Sequence, residues 1–307
     1  MKMRIARFPL IVAHAILAAL IAAVLLLPKG RAAVHSPGAL LSALAVIEGL
    51  FLLHLAHRRR SGRPVTGDIL LLVWLLLLCW ELVTSVLDLT NPVLVPCPEN
   101  VFDTFRIQWR RMLANVWYSL RLLTVGFVTG LVLAVLAGLA VGWKTRLREF
   151  ITPIANVMAP IPAIVFSPYL VAVMPSFRSA SALVIVLGVF WPTLLTTVNR
   201  VGSVDRRLLD SARMLELGDR ALIFRILLPS VLPGIVSGLK VSVTTSVLML
   251  NFAELMGATH GMGYYIQNSI TYANYTQAVA GILCIGTVVT VLNRLVTFIQ
   301  KHAIRWR

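Results

Sequence analysis

The 307-residue chain is 58% hydrophobic and only 13% charged, which excludes an ordinary soluble domain and a disordered segment. Its net charge of +16 would suit nucleic acid, but the arginines lie between apolar runs and form no single binding face. They read instead as topological charge beside anionic lipid, with no nucleic acid partner.

The first residues carry Lys2, Arg4 and Arg7, then residues 9–27 are apolar. No small-residue cleavage site follows, so this is a retained spanning helix and not a signal peptide. Residues 39–56 form a second span, marred by Glu48 and His54, and Arg58, Arg59, Arg60 and Arg63 close it. Residues 69–87, with Trp74 and Trp80, form a third. Each is about 18–20 residues, long enough to cross a bilayer.

Residues 91–111 differ: prolines lead into a stretch rich in Phe, Ile and Trp, expected to lie along the membrane surface. A fourth span, 116–143, carries Gly126, Gly130, Ala134, Gly138 and Gly142 at a spacing of four. Small residues in that register let another helix approach closely. The fifth, 151–174, is broken by Pro153, Pro160, Pro162 and Pro168. Proline frees backbone carbonyls, which lipid tolerates only where protein or water covers them. Residues 180–198, 231–255 and 278–299 complete the series. The fold class is an all-α polytopic membrane protein with about eight transmembrane helices.

The longest polar interval of the second half runs over 205–233. Arg206, Arg207, Asp210, Arg213, Glu216, Asp219, Arg220 and Arg225 alternate there with Leu208, Leu209, Ala212, Leu215 and Leu217. The apolar set has helical spacings, which predicts a short amphipathic helix. Gly218 offers a break, and a second helical run from 220 is stopped by Pro229. Lys and Arg concentrate in this loop, in Arg58, Arg59, Arg60 and Arg63, in Lys144, Arg146 and Arg148, and at both termini. The alternate segments hold only Lys29, Arg31, Arg106, Arg110, Arg111 and Arg178. By the positive-inside rule the loop and both termini are cytoplasmic.

Asp210-Ser211-Ala212, followed by Ile226-x-Leu228-Pro229, resembles the cytoplasmic "EAA" loop of permease subunits of ATP-binding cassette importers. The family pattern is Glu-Ala-Ala, three residues, Gly, nine residues, then Ile-x-Leu-Pro. The register agrees, but the glycine position holds Glu216 and the nearest glycine is Gly218. Further cues are Pro160-Ile161-Pro162, Phe190-Trp191-Pro192, and Ala253-Glu254-Leu255 leading into Gly261-Met262-Gly263-Tyr264-Tyr265-Ile266. With the terminal Arg305-Trp306-Arg307, they make the chain from residue 91 similar to permeases of importers for nitrate, sulfonates, taurine and bicarbonate.

The resemblance implies a six-helix importer-permease core over 64–307, with a coupling loop at 200–230 and two additional N-terminal helices within 1–63. It also implies a bacterial cytoplasmic-membrane location, two copies of an ATPase subunit, a second permease copy or a paralogue, and a periplasmic substrate-binding protein. The coupling residues it names are Asp210, Ser211, Ala212, Glu216, Gly218, Leu228 and Pro229. The chain has no Gly-x4-Gly-Lys-Ser/Thr phosphate loop, so ATP hydrolysis is expected in a partner and no cofactor or catalytic residue here. The cysteines and histidines show no metal spacing. An ion-gradient-driven secondary transporter is the alternative, with Glu48, Glu81 and Glu254 as its intramembrane carboxylates. The seventh span is rich in hydroxyls. Thr244, Asn251 and Glu254, with Pro160 and Pro162, are the candidates for a translocation path, with Glu254 near its outer mouth as a structural or gating residue. The two N-terminal spans lack the small-residue and proline patterns, so they are expected at the periphery.

Overall fold

The computed structural model describes residues 2–30, 34, 36–57 and 65–303. Arg31, the Arg58–Arg63 cluster and the Arg305-Trp306-Arg307 end lie outside them. Apolar chain in hydrocarbon must bond its own backbone, and the helix does so within one segment. The long helices are α1 (Lys2–Leu26), α2 (Gly38–His57), α3 (Val65–Glu81) and α4 (Pro98–Trp143). A bent pair follows, α5 (Thr145–Met158) and α6 (Ser167–Val173), then α7 (Phe177–Gly202). The remainder are α8 (Arg206–Met214), α9 (Asp219–Leu222), α10 (Leu228–Leu255), α11 (Met262–Thr271) and α12 (Tyr275–Ala303). There is no strand among the described residues. Five helices are long and apolar enough to cross a membrane, six with the bent pair counted as one. α1 and α2 add shorter apolar segments, Leu10–Leu26 and Gly38–Leu53.

Three local features refine these expectations. The stretch before the fourth span is helical from Pro98 and joins the rest of α4 across a kink at Gln108 (φ −107°, ψ 16°). The fifth span is two helices at 81°, because Pro160 and Pro162 flank a break that Ile161 closes through a bond to the Met158 carbonyl at 3.2 Å. Pro229 does not stop its helix. A π-helical turn, Ile223–Leu227, precedes it, so the wider turn has already displaced the carbonyl that the missing N–H would need. The run from α9 continues as one helix through Leu255.

The chain forms two compact units, Met1–Met112 with Ile266–Leu283, and Leu113–Tyr265 with Cys284–Arg307. In the first, α1, α2 and α3 share a core of Ala13, Leu20, Leu40, Leu44, Leu70 and fully buried Trp74. Glu48 of α2 lies 2.9 Å from His14 Nε2 of α1. In the second, α7 lies along the glycine stripe of α4. A Cβ on Gly130 would stand 3.0 Å from the Val186 carbonyl, and one on Gly138 would overlap Thr197 at 2.6 Å. Side chains here would force the two backbones apart.

Candidate functional site

The polar loop folds as a helix-turn-helix whose end is set by one residue. Asp205 starts α8, its carboxylate accepting the Arg207 N–H at 2.9 Å. At the other end Leu217 N–H reaches back to the Ala212 carbonyl at 3.4 Å, and Glu216 between them has φ +51°. This is a Schellman turn, with the left-handed position that glycine ordinarily fills. Glu216 therefore takes up the backbone shape its position calls for despite its side chain. Gly218 does not substitute for it: its φ is −64° and ψ 156°, at the start of α9, and a Cβ there would meet nothing within 4 Å.

The turn has two faces. Ala212 is buried with Leu139, Val201, Leu222, Leu227 and Val231, and Leu209, Leu217 and Leu228 pack on that cluster. Trp143 Nε1 of α4 donates to Asp219 at 3.2 Å. Opposite, Asp210, Ser211 and Glu216 are exposed, beside Met214 at 86% and Leu215 at 73% exposure. Together they form an exposed apolar knob on a charged turn. Pro229 is the first-turn residue of α10.

The residues expected on a path separate into two groups. Thr244 donates to the Lys240 carbonyl at 3.0 Å and to Asn293 Oδ1 of α12 at 3.2 Å. Thr245 and Ser246 likewise bond carbonyls four residues back, and Asn251 Nδ2 donates to the Val247 carbonyl at 2.9 Å. Their polarity is thus satisfied within the helix pair. Asn251 borders a small cavity of ≈ 20 Å³ with Ser119, Val247, Met262 and Ile285, about the room of one water. Pro160 and Pro162 are exposed. The turn they introduce packs through Ala163 near Met249, about 140–160° round α10 from Thr244 and Asn251.

Residues 130–306 match the family described as the binding-protein-dependent transport system inner membrane component. This chain belongs to that family. It is a permease component of an ATP-binding cassette importer, a multi-pass membrane protein that is not itself catalytic. The taurine transport system permease protein TauC of Escherichia coli is 26% identical over 86% of this chain and 98% of its own length. SsuC of Bacillus subtilis, a permease protein named for aliphatic sulfonates transport, is 26% identical over 82% and 92%. The nitrate import permease protein NrtB of Leptolyngbya laminosa is 25% identical over 61% and 67%. An inward-facing MetNI methionine ABC transporter matches 66% of this chain and 97% of its own with TM-score 0.51 and 18% identity, a likeness of fold. A permease of such an importer works with an ATPase and a substrate-binding protein.

In this permease Glu254, 1% exposed, forms a clasp at the end of α10. Its Oε1 accepts from Ser119 of α4 at 2.7 Å, and its Oε2 accepts the Gly263 N–H at 2.8 Å. Ser119 Oγ in turn accepts the Met262 N–H at 2.9 Å, and Asn115 Oδ1 accepts the Gly261 N–H at 2.9 Å. Three consecutive backbone donors are thereby held by side chains of α4 and α10. Gly261 has φ +115°, and a Cβ there would run into the Glu254 carboxylate. Asn115 and Ser119 were not legible as partners, since they lie 135 and more residues from the groups they hold. Their spacing of four on one helix face is the only signal they leave.

Proposed function

We propose that this permease carries a small anionic solute of the sulfonate, taurine, nitrate or bicarbonate type. The names of the relatives support the sulfonate, taurine and nitrate members of that class. Two ATPase subunits would dock at the cytoplasmic loop, with a second permease copy or a paralogue beside this one and a periplasmic binding protein delivering the solute. Both termini would be cytoplasmic, a reading the Lys and Arg distribution supports. The observation that carries the coupling role is the two-faced turn. Its exposed knob of Met214 and Leu215 would seat in the ATPase, while buried Ala212 carries the displacement into α4, α7 and α10. The route would follow the Thr244–Asn251 side of α10, beside the existing cavity. Pro160 and Pro162 would serve the 81° bend instead of lining it.

Because Ala212 is buried, a charge there would disturb the turn itself; Leu215 is the better probe. In the reconstituted complex, Leu215→Asp is expected to cut solute-stimulated ATPase and ATP-driven uptake by at least about tenfold. Yield and Tm of the isolated permease should not change. Uptake at the wild-type rate would remove the knob from the coupling surface.

A further inference from the structure

Lys29 lies in the connection between α1 and α2, where sequence alone marks it as no more than a topological charge. Its Nζ donates to Glu81 Oε1 at the end of α3 and, at 2.6 Å, to Glu99 Oε1 in the first turn of α4. Both glutamates are 0% exposed. Their second oxygens accept from one hydroxyl, Ser85 Oγ, at 3.2 and 3.3 Å. Ser85 belongs to a π-helical turn, Leu82–Val86, and its carbonyl receives the Gly30 N–H at 2.8 Å. Leu89 N–H, which would ordinarily take that carbonyl, bonds Val83 instead. Gly30 is seated so closely that a Cβ would stand 2.8 Å from Asp88 Cβ.

We infer that α3 and the start of α4 form an acid-lined socket for an ammonium group, and that its occupant is the Pro28-Lys29-Gly30 segment of this chain. Two carboxylates buried side by side repel each other, and an ammonium between them relieves that repulsion. Among the described residues, Lys29 is the cation bonded to them. Burial by itself would lower the lysine pKa. The two carboxylates reverse that and hold it above the ordinary lysine value, so the ammonium stays charged. The connection between the N-terminal helices is thereby tied to α3 and the start of α4.

Point variants of the full chain test this by thermal unfolding in detergent and by membrane yield. Lys29→Met alone leaves two carboxylates unpaired, and Tm is expected to fall by on the order of 10 °C, with a several-fold loss of yield. The triple variant Lys29→Met, Glu81→Gln, Glu99→Gln removes the charges together and should regain most of both. A Lys29→Met protein with wild-type Tm and yield overturns the socket. A triple variant no better than Lys29→Met overturns charge compensation as its basis.

Discussion

Among the turns of this permease with positive φ, those at Gly261 and Glu216 use that conformation in opposite ways. After α10, Gly261 stands at φ +115° with the Glu254 carboxylate where a side chain would go. After α8, Glu216 stands at φ +51° with its side chain exposed. The first conformation lies outside the left-handed helical well and has no space beside it, so conformation and packing both demand glycine. The second lies within that well, which other residues enter at a cost of roughly 1–2 kcal/mol. One position is fixed by its surroundings, and the other is free to vary. That difference explains how the turn after α8 can depart from the family's glycine and keep its Schellman geometry.

The sharpest way to break the comparison is Gly261→Ala. It adds backbone strain and displaces a carboxylate that holds two donors, together on the order of 4 kcal/mol. Tm should fall by about 10 °C in detergent. A shift as small as that of an exposed glycine would mean the turn tolerates a side chain after all.

Glu254 sharpens the same end. Glu254→Ala leaves the Gly263 N–H buried without an acceptor, at a cost of about 2–3 kcal/mol. Glu254→Gln should cost less than about 1 kcal/mol. The carboxylate has no cation partner among the described residues, and an amide can accept from Gly263 while donating to Ser119. Equal destabilisation by both variants would show that the negative charge itself is required, which the bonding pattern does not call for. The contrast with the Lys29 socket is direct, since there the charges themselves are expected to decide the outcome.

What the sequence shows well is regular or local. Hydropathy marks each apolar segment. The four-residue interval of Gly126 to Gly142 marks the face on which α7 packs. The polar interval with Gly218 marks the turn between two helices. What it hides is pairing at a distance. Lys29 meets Glu81 and Glu99 across 52 and 70 residues, and no periodicity records such a meeting. Local rules also mislead where a compensation is not itself local in composition. Proline at 229 reads as a stop because nothing in the letters announces a π turn before it. The hydroxyls of α10 bond carbonyls one turn back, a choice between backbone and open route that hydroxyl content alone does not make. Glu216 reads as a lost glycine, whereas the backbone shows the glycine's conformation retained.

The smallest expected effect is at that residue. Glu216→Gly should relieve the left-handed penalty while adding some freedom to the unfolded chain, a net gain of about 0.5–1 kcal/mol. In the isolated permease this is a rise in Tm of about 1–3 °C. Gly218→Ala serves as the control, since its backbone is extended and its surroundings are open; it should be neutral or slightly stabilising. If Glu216→Gly instead lowers Tm, the carboxylate contributes to the folded turn in a way its exposure does not suggest. The same variant also separates stability from coupling. With the Leu215 knob unchanged and the turn intact, ATP-driven uptake should hold or improve. A more stable permease that couples less well to its ATPase would show that the Glu216 carboxylate is retained for the partner, in spite of its backbone cost.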